Sequence, residues 1–225
     1  MDTLNSPTTF ALQPIYGLDG EIIFAELLAR FGEDNTQERI VNAEKDGSIL
    51  DIDLAALRYA KRSAIPVSIN VSQKSIESNL VALGQQILPG FTIEITETHK
   101  TCLRKLEKFA FEVHARGGSI ALDDVGTGAF QDYSVLFSII KATRPQWIKL
   151  PLDAEPELIR MCQLTAIPLI FELIDTRSDV EKAIGFKTTG LQGWFFDTAY
   201  GMSWLHTQRL KNKRVKANEL LLAVA

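Results

Sequence analysis

Ser119-Ile120-Ala121-Leu122-Asp123-Asp124-Val125-Gly126-Thr127-Gly128 is a short apolar run that ends on two adjacent carboxylates and then breaks into a loop with two glycines. Such a pattern reads as a buried strand reaching the rim of a sheet, where the chain must turn. Neighbouring aspartates repel, by about 4 kcal/mol for unit charges about 4 Å apart at an effective dielectric of roughly 20. A positive partner between them offsets this, and a divalent cation with oxygen ligands is the natural one. The stretch alone leaves a plainer alternative open: Asp123 caps a helix and Asp124 sits in a turn.

Upstream, Phe91 to Ile95 is a second buried strand, joined to the central run by a helix from about Lys100 to Arg116 that Gly117-Gly118 stops. Pro66 to Val71 is a third, with Ser72 as N-cap of a helix running towards Leu88. Nearer the N-terminus, Phe10 to Tyr16 and Glu21 to Leu28 flank the turn Gly17-Leu18-Asp19-Gly20 and read as a hairpin, so the first strand is expected to run antiparallel. Asn35 to Arg62 is helical around a break at Asp46-Gly47-Ser48. Downstream come a helix from Tyr133 to Thr143, a strand from Trp147 to Leu150, a helix from Pro156 to Leu164 and a strand from Pro168 to Glu172. A helix from Ser178 to Ile184, a last strand from Gly190 to Phe195 and a helical tail from Ser203 to Ala225 complete the chain.

About eight strands alternating with helices predict parallel β/α units in an α/β fold, first a TIM-type barrel and second a doubly wound sheet. No low-complexity linker or composition break divides residues 1–225, so a single domain is expected, with a core at about 10–202 and the tail at 203–225. Hydrophobic residues at 46% and charged residues at 23% suit a globular core. The net charge of −4 gives no general reason to bind a nucleic acid polymer or an anionic membrane surface. Cys102 and Cys162 lack zinc-type spacing and imply no disulfide framework. With no signal-peptide pattern at the N-terminus and no apolar run of membrane-spanning length, a cytoplasmic location is expected.

The polar residues near the strand ends form a series: Glu26, Asn70, Glu94, Asp123 with Asp124, Lys149, Glu172 and Gln192. In a β/α barrel the C-terminal strand ends converge on one face, so carboxylates, amides and one amine would meet in one cavity. An oxygen-rich set of this kind suits Mg²⁺ or Mn²⁺, as two ions sharing a bridging carboxylate, and not Zn²⁺. Two such ions clamp the attacking and leaving oxygens of a phosphoryl transfer. His99, His114 and His206 are scattered, and Trp147, Trp194 and Trp204 read as core or rim packing.

On these residues the chain resembles the EAL family of bacterial cyclic-di-GMP phosphodiesterases. Ala25-Glu26-Leu27-Leu28-Ala29-Arg30 is similar to the signature Glu-Ala-Leu-Leu-Arg, and Leu12-Gln13-Pro14-Ile15 to the preceding Tyr-Gln-Pro-Ile. Ile69-Asn70-Val71-Ser72 resembles Val-Asn-Val-Ser, and Ile93-Glu94-Ile95-Thr96-Glu97 resembles Leu-Glu-Ile-Thr-Glu. Asp123 to Gly128 is similar to the Asp-Asp-Phe-Gly-Thr-Gly loop, and Gln192-Gly193-Trp194 to Gln-Gly-Tyr. The resemblance implies a modified β/α barrel of the EAL type that opens cyclic-di-GMP to linear pGpG. It implies that Glu26, Asn70, Glu94 and Asp123 ligate one metal ion and that Asp124 bridges to a second, near Glu172 and Gln192. It further implies that Lys149 binds the attacking water, Glu172 is the general base, Glu97 anchors the loop after Asp124, and Gln13, Arg30 and Gln192 contact the ligand. It is also compatible with a homodimer.

The chain also departs from the family pattern. Leu27 replaces the signature alanine, Val125 the loop phenylalanine, and Pro151 an aspartate two residues after the lysine. The family's Ala-Glu-Gly-Val-Glu becomes Phe171-Glu172-Leu173-Ile174-Asp175, losing a glycine. These changes support a second expectation, a non-catalytic regulator that keeps the barrel and binds cyclic-di-GMP or a protein partner.

Overall fold

The computed structural model describes residues 9–31, 36–96 and 102–223, which leaves the expectations for Glu97 and His99 outside the described residues. Strands β1 (Thr9–Gly17) and β2 (Ile22–Arg30) form the expected hairpin. Its turn is tied by Gly20 N–H to Gly17 O at 2.9 Å, with Gly20 at φ +80° and the Asp19 carboxylate accepting from Glu21 N–H at 3.0 Å. A tight turn can only join antiparallel strands, which is why β1 runs against its neighbours.

The rest of the described chain alternates. Helices α1 (Thr36–Asp46) and α2 (Ile49–Ala60), broken at Gly47, lead to β3 (Val67–Val71) and α3 (Gln73–Gly84). Then follow β4 (Phe91–Ile95), α4 (Leu103–Ala115), β5 (Ser119–Leu122), α5 (Tyr133–Thr143), β6 (Trp147–Pro151) and α6 (Pro156–Leu164). β7 (Leu169–Glu172), α7 (Arg177–Gly185), β8 (Gly190–Leu191) and the long α8 (Ala199–Ala223) complete it. The strands close in sequence order into a barrel, parallel from β2 to β8, with β1 antiparallel to both β2 and β8. No described helix is long and apolar enough to cross a membrane.

The period of two along a strand sorts its residues between two cores. Outward-facing Val67, Ile69, Ile93, Ile95, Ile120, Leu122, Ile148, Leu150 and Phe171 pack against the helices in the main cluster. Inside the barrel, Ile15, Phe24 and Ile170 form a separate apolar cluster with Trp147 against it, the Phe24 and Trp147 rings lying 5.7 Å apart. Two residues further along these inward-facing series stand Gln13, Glu26, Lys149 and Glu172. The interior is thus apolar at one end and polar at the other.

Some boundaries moved. The helix after Ser72 stops at Gly84, and Asn79 interrupts it with φ −154°. The last strand keeps only Gly190 and Leu191, and Trp194–Asp197 is a 3-10 turn. Gln192 O accepts from Ile174 N–H at 3.1 Å and Phe195 N–H donates back to Ile174 O at 2.9 Å, pulling the chain off the sheet. Gly193 sits against the Ile174 backbone, where a Cβ would collide. Gly193→Ala is therefore expected to destabilise by about 1–3 kcal/mol, read as a lower denaturation midpoint at unchanged slope.

Asp53 on α2 fixes the end of β3. Its Oδ2 accepts from Ser72 N–H at 2.9 Å, two residues beyond Asn70, and burial pushes its carboxyl from 3.8 up to about 7. A raised carboxyl supports the fold in its protonated form, so this contribution is complete below the unfolded value and is lost as pH climbs through about 7. From about pH 4 to about pH 7.5, the stability difference between wild type and Asp53→Asn should shift in the variant's favour by up to a few kcal/mol. A constant difference in denaturant titrations would refute this.

Candidate active site

Lys149 lies at the centre of the polar end and is fully buried. Its Nζ stands 3.0 Å from Glu26 Oε2, 3.1 Å from Glu94 Oε1, 2.7 Å from Asp123 Oδ1 and 3.0 Å from Glu172 Oε1. These carboxylates come from β2, β4, the residue after β5, and β7, held in register by pairings such as Asn70 with Glu94 and Glu26 with Ser68. Amides complete the ring. Asn70 Nδ2 donates to Glu26 Oε1 at 2.7 Å, and Gln192 Nε2 donates to Glu26 Oε2 at 2.7 Å and to Gln13 Oε1 at 3.1 Å.

An ammonium has three protons and cannot satisfy four carboxylates. Glu94 accepts from Nζ through Oε2 at 3.1 Å, whereas Asp123 Oδ1 touches Nζ as a charge without an aligned hydrogen bond, and the buried Asn70 Oδ1 has no hydrogen-bond partner among the described residues. The electrostatics show the same shortage of positive charge. Burial, together with Glu26, pushes Glu94 up to about 8 against the pull of Lys149. Burial lifts Asp123 well above the carboxylate range, with Glu94, Glu172 and Glu26 adding to it and Lys149 opposing. Burial also raises Glu172, aided by Glu26 and Asp124. Glu26 alone goes down: burial opposes this, but the Lys149 charge and the Gln192, Lys149 and Asn70 hydrogen bonds outweigh it. Burial pulls Lys149 down, yet Asp123, Glu172, Glu26 and Glu94 together hold it well above its ordinary value.

Glu26, Glu94 and Asp123 each offer a carboxylate oxygen, all within 4.8 Å of one another. With the orphaned Asn70 Oδ1, this all-oxygen set fits a hard divalent cation.

The structure thus brings together Gln13, Glu26, Asn70, Glu94, Asp123, Lys149, Glu172 and Gln192. Asp124 stands at the rim in a left-handed turn with φ +52°, its carbonyl accepting from Thr127 N–H at 3.0 Å. Burial raises its carboxyl too. It lines a cleft of about 420 Å³ with Arg30, Glu172, Gln13 and Gln192. Sequence reasoning passed over Asp53, an acid among the apolar helix positions Ile52, Ala56 and Leu57, which was the available signal. Leu173, read from the sequence only as a departure from the family glycine, lines the cleft. Trp147 and Trp204 pack as expected, Trp204 on Phe196 at 5.9 Å, while Trp194 is exposed at the cleft. His114 Nε2 lies 3.0 Å from Thr143 O between α4 and α5, away from the acids. Both cysteines are free, and burial raises Cys162 to about 11.

Comparison with curated proteins found no match. Among solved structures, the chain is similar to the PaMucR phosphodiesterase in its c-di-GMP complex, at 20% identity and TM-score 0.71, covering 83% of this chain and 94% of that one. It is similar to an EAL domain protein from Listeria monocytogenes at 18% identity and TM-score 0.63, covering 83% and 86%. It also resembles the FimX EAL domain from Pseudomonas aeruginosa bound to c-di-GMP, at 16% identity and TM-score 0.65, covering 84% and 89%. At these identities the likeness speaks for the fold. The EAL domain family itself matches residues 5–199, most of the chain, and the chain belongs to that family.

Proposed function

We propose that this chain hydrolyses cyclic-di-GMP to linear pGpG as a metal-dependent phosphodiesterase. The observation that carries the proposal is the buried Glu26, Glu94 and Asp123 cluster beside the unpartnered Asn70 Oδ1. Membership of the EAL family supports it, as do the neighbours solved as the PaMucR phosphodiesterase with c-di-GMP and as Klebsiella pneumoniae BlrP1 with manganese and cyclic-di-GMP.

In this proposal Glu26, Asn70, Glu94 and Asp123 would hold one Mg²⁺ or Mn²⁺, and Asp124 would help to hold a second. Bound there, the ions supply Lewis acidity to the phosphoryl oxygens and acidify water. Lys149 orients the water whose oxygen adds to phosphorus as one P–O ester bond breaks. Glu172 takes that water's proton, the departing ribose oxygen takes a proton from solvent to leave as a hydroxyl, and Gln13, Arg30 and Gln192 hold the dinucleotide across the cleft.

A second reading, binding without turnover, draws on Pro151, paired in register with Glu172, and on the unusual backbone of Leu173 just after it. One experiment separates the two. Purified protein with Mg²⁺ or Mn²⁺ should yield pGpG by chromatography, and Glu26→Ala and Asp123→Ala should each lower the rate by more than about 100-fold. No product above the Glu26→Ala control, with tight nucleotide binding, would decide for the receptor.

Metal binding has its own readout. A dication at a hundredfold excess over its Kd should stabilise the wild type by about 2.7 kcal/mol, and Asp123→Ala should abolish that rise in Tm. An unchanged wild-type Tm would remove the metal from the proposal.

A further inference from the structure

Leu173 is held in the left-handed region at φ +58°, where its Cβ crowds its own backbone and a glycine would sit without strain. The chain on either side leaves it little choice. Glu172 ends β7 with its carboxylate on Lys149, while Ile174 is fully buried and donates its N–H to Gln192 O. Turning between these two fixed neighbours throws the Leu173 side chain outward, where it is 61% exposed. A leucine there gains neither packing nor an easy backbone, and strain that persists beside a site points to a use for the side chain.

The use is visible in what the side chain faces. The cleft beside Lys149 has a polar wall of Gln13, Arg30, Asp124, Glu172 and Gln192, and Leu12, Leu173 and Trp194 also line it. Leu12 is 45% exposed and Trp194 68%, so three large apolar side chains stand in solvent along one opening. A ligand whose phosphate reaches the acids must extend past them. A flat heteroaromatic ring suits that position, with a polar edge for the amides and guanidinium and an apolar face for the leucines and indole.

We propose that Leu173 is a ligand-gripping residue whose strained backbone holds its side chain, with Leu12 and Trp194, as an apolar lip against the face of a guanine base. This rests on the cyclic-di-GMP reading above and adds to it a residue at which this chain departs from the family motif.

The test compares wild type, Leu173→Ala and Leu173→Gly by steady-state kinetics with cyclic-di-GMP and Mn²⁺, or by calorimetric titration where the wild type only binds. Mn²⁺ titrations and thermal melts accompany each. Both variants should raise KM or Kd about tenfold while kcat and Mn²⁺ affinity stay within about twofold. Only Leu173→Gly sheds the strain, so it alone should gain about 2–4 °C in Tm. Unchanged ligand affinity in both variants overturns the proposal while leaving the cyclic-di-GMP reading intact. A fall in kcat at constant KM also overturns it, since Leu173 would then act by positioning Glu172. A wild type that neither binds nor hydrolyses cyclic-di-GMP removes the reading and this inference together.

Discussion

An ammonium group taken out of water with nothing opposite it would unfold this barrel or lose its proton, because the desolvation of an isolated buried ion far exceeds what packing returns. Lys149 remains charged inside because four carboxylates from four other places in the chain face it within hydrogen-bonding range. The dependence is mutual. Glu94, Asp123 and Glu172 are disfavoured by burial and by neighbouring acids, and Lys149 is the shared cation that opposes this. None of these contacts is local: Lys149 and Glu26 are 123 residues apart, so the charges meet only once the sheet has closed.

That geometry follows from the plainest property of a strand. Because side chains alternate, each inward polar residue at the top of the barrel has an inward partner two residues below, as Lys149 has Trp147 and Glu172 has Ile170. The outward residues between them, Ile148 and Phe171, belong to the core beneath the helices. One pattern therefore fixes the scaffold and aims the charges. The deviations sit where strands end: Asp124 in a left-handed turn, Leu173 likewise, and Gly193 pressed on Ile174.

Much of this was legible in the chain itself. The apolar runs ending at Asn70, Glu94, Asp123, Lys149 and Glu172 locate five strands and the face they share, since period and position alone set where those side chains go. The hairpin turn Gly17 to Gly20 foretells the antiparallel strand by the same logic. The last strand was overextended because Leu191 to Phe195 carries β-forming residues, while a tertiary contact of Gly193, invisible in composition, ends it early. Asp53 was missed because an acid on a helix is ordinarily a solvated one, and nothing nearby in sequence reveals Ser72 as its partner. The conformation of Leu173 was hidden for a similar reason: it is imposed by Ile174 and Gln192, which meet only in the fold.

The apolar cluster of Ile15, Phe24 and Ile170, with Trp147 against it, stoppers the barrel beneath the charged layer. The ring of acids around Lys149 therefore has hydrocarbon at its back, so an ion or solute approaching that ring would come from the opposite end, where Asp124 and Glu172 line the cleft.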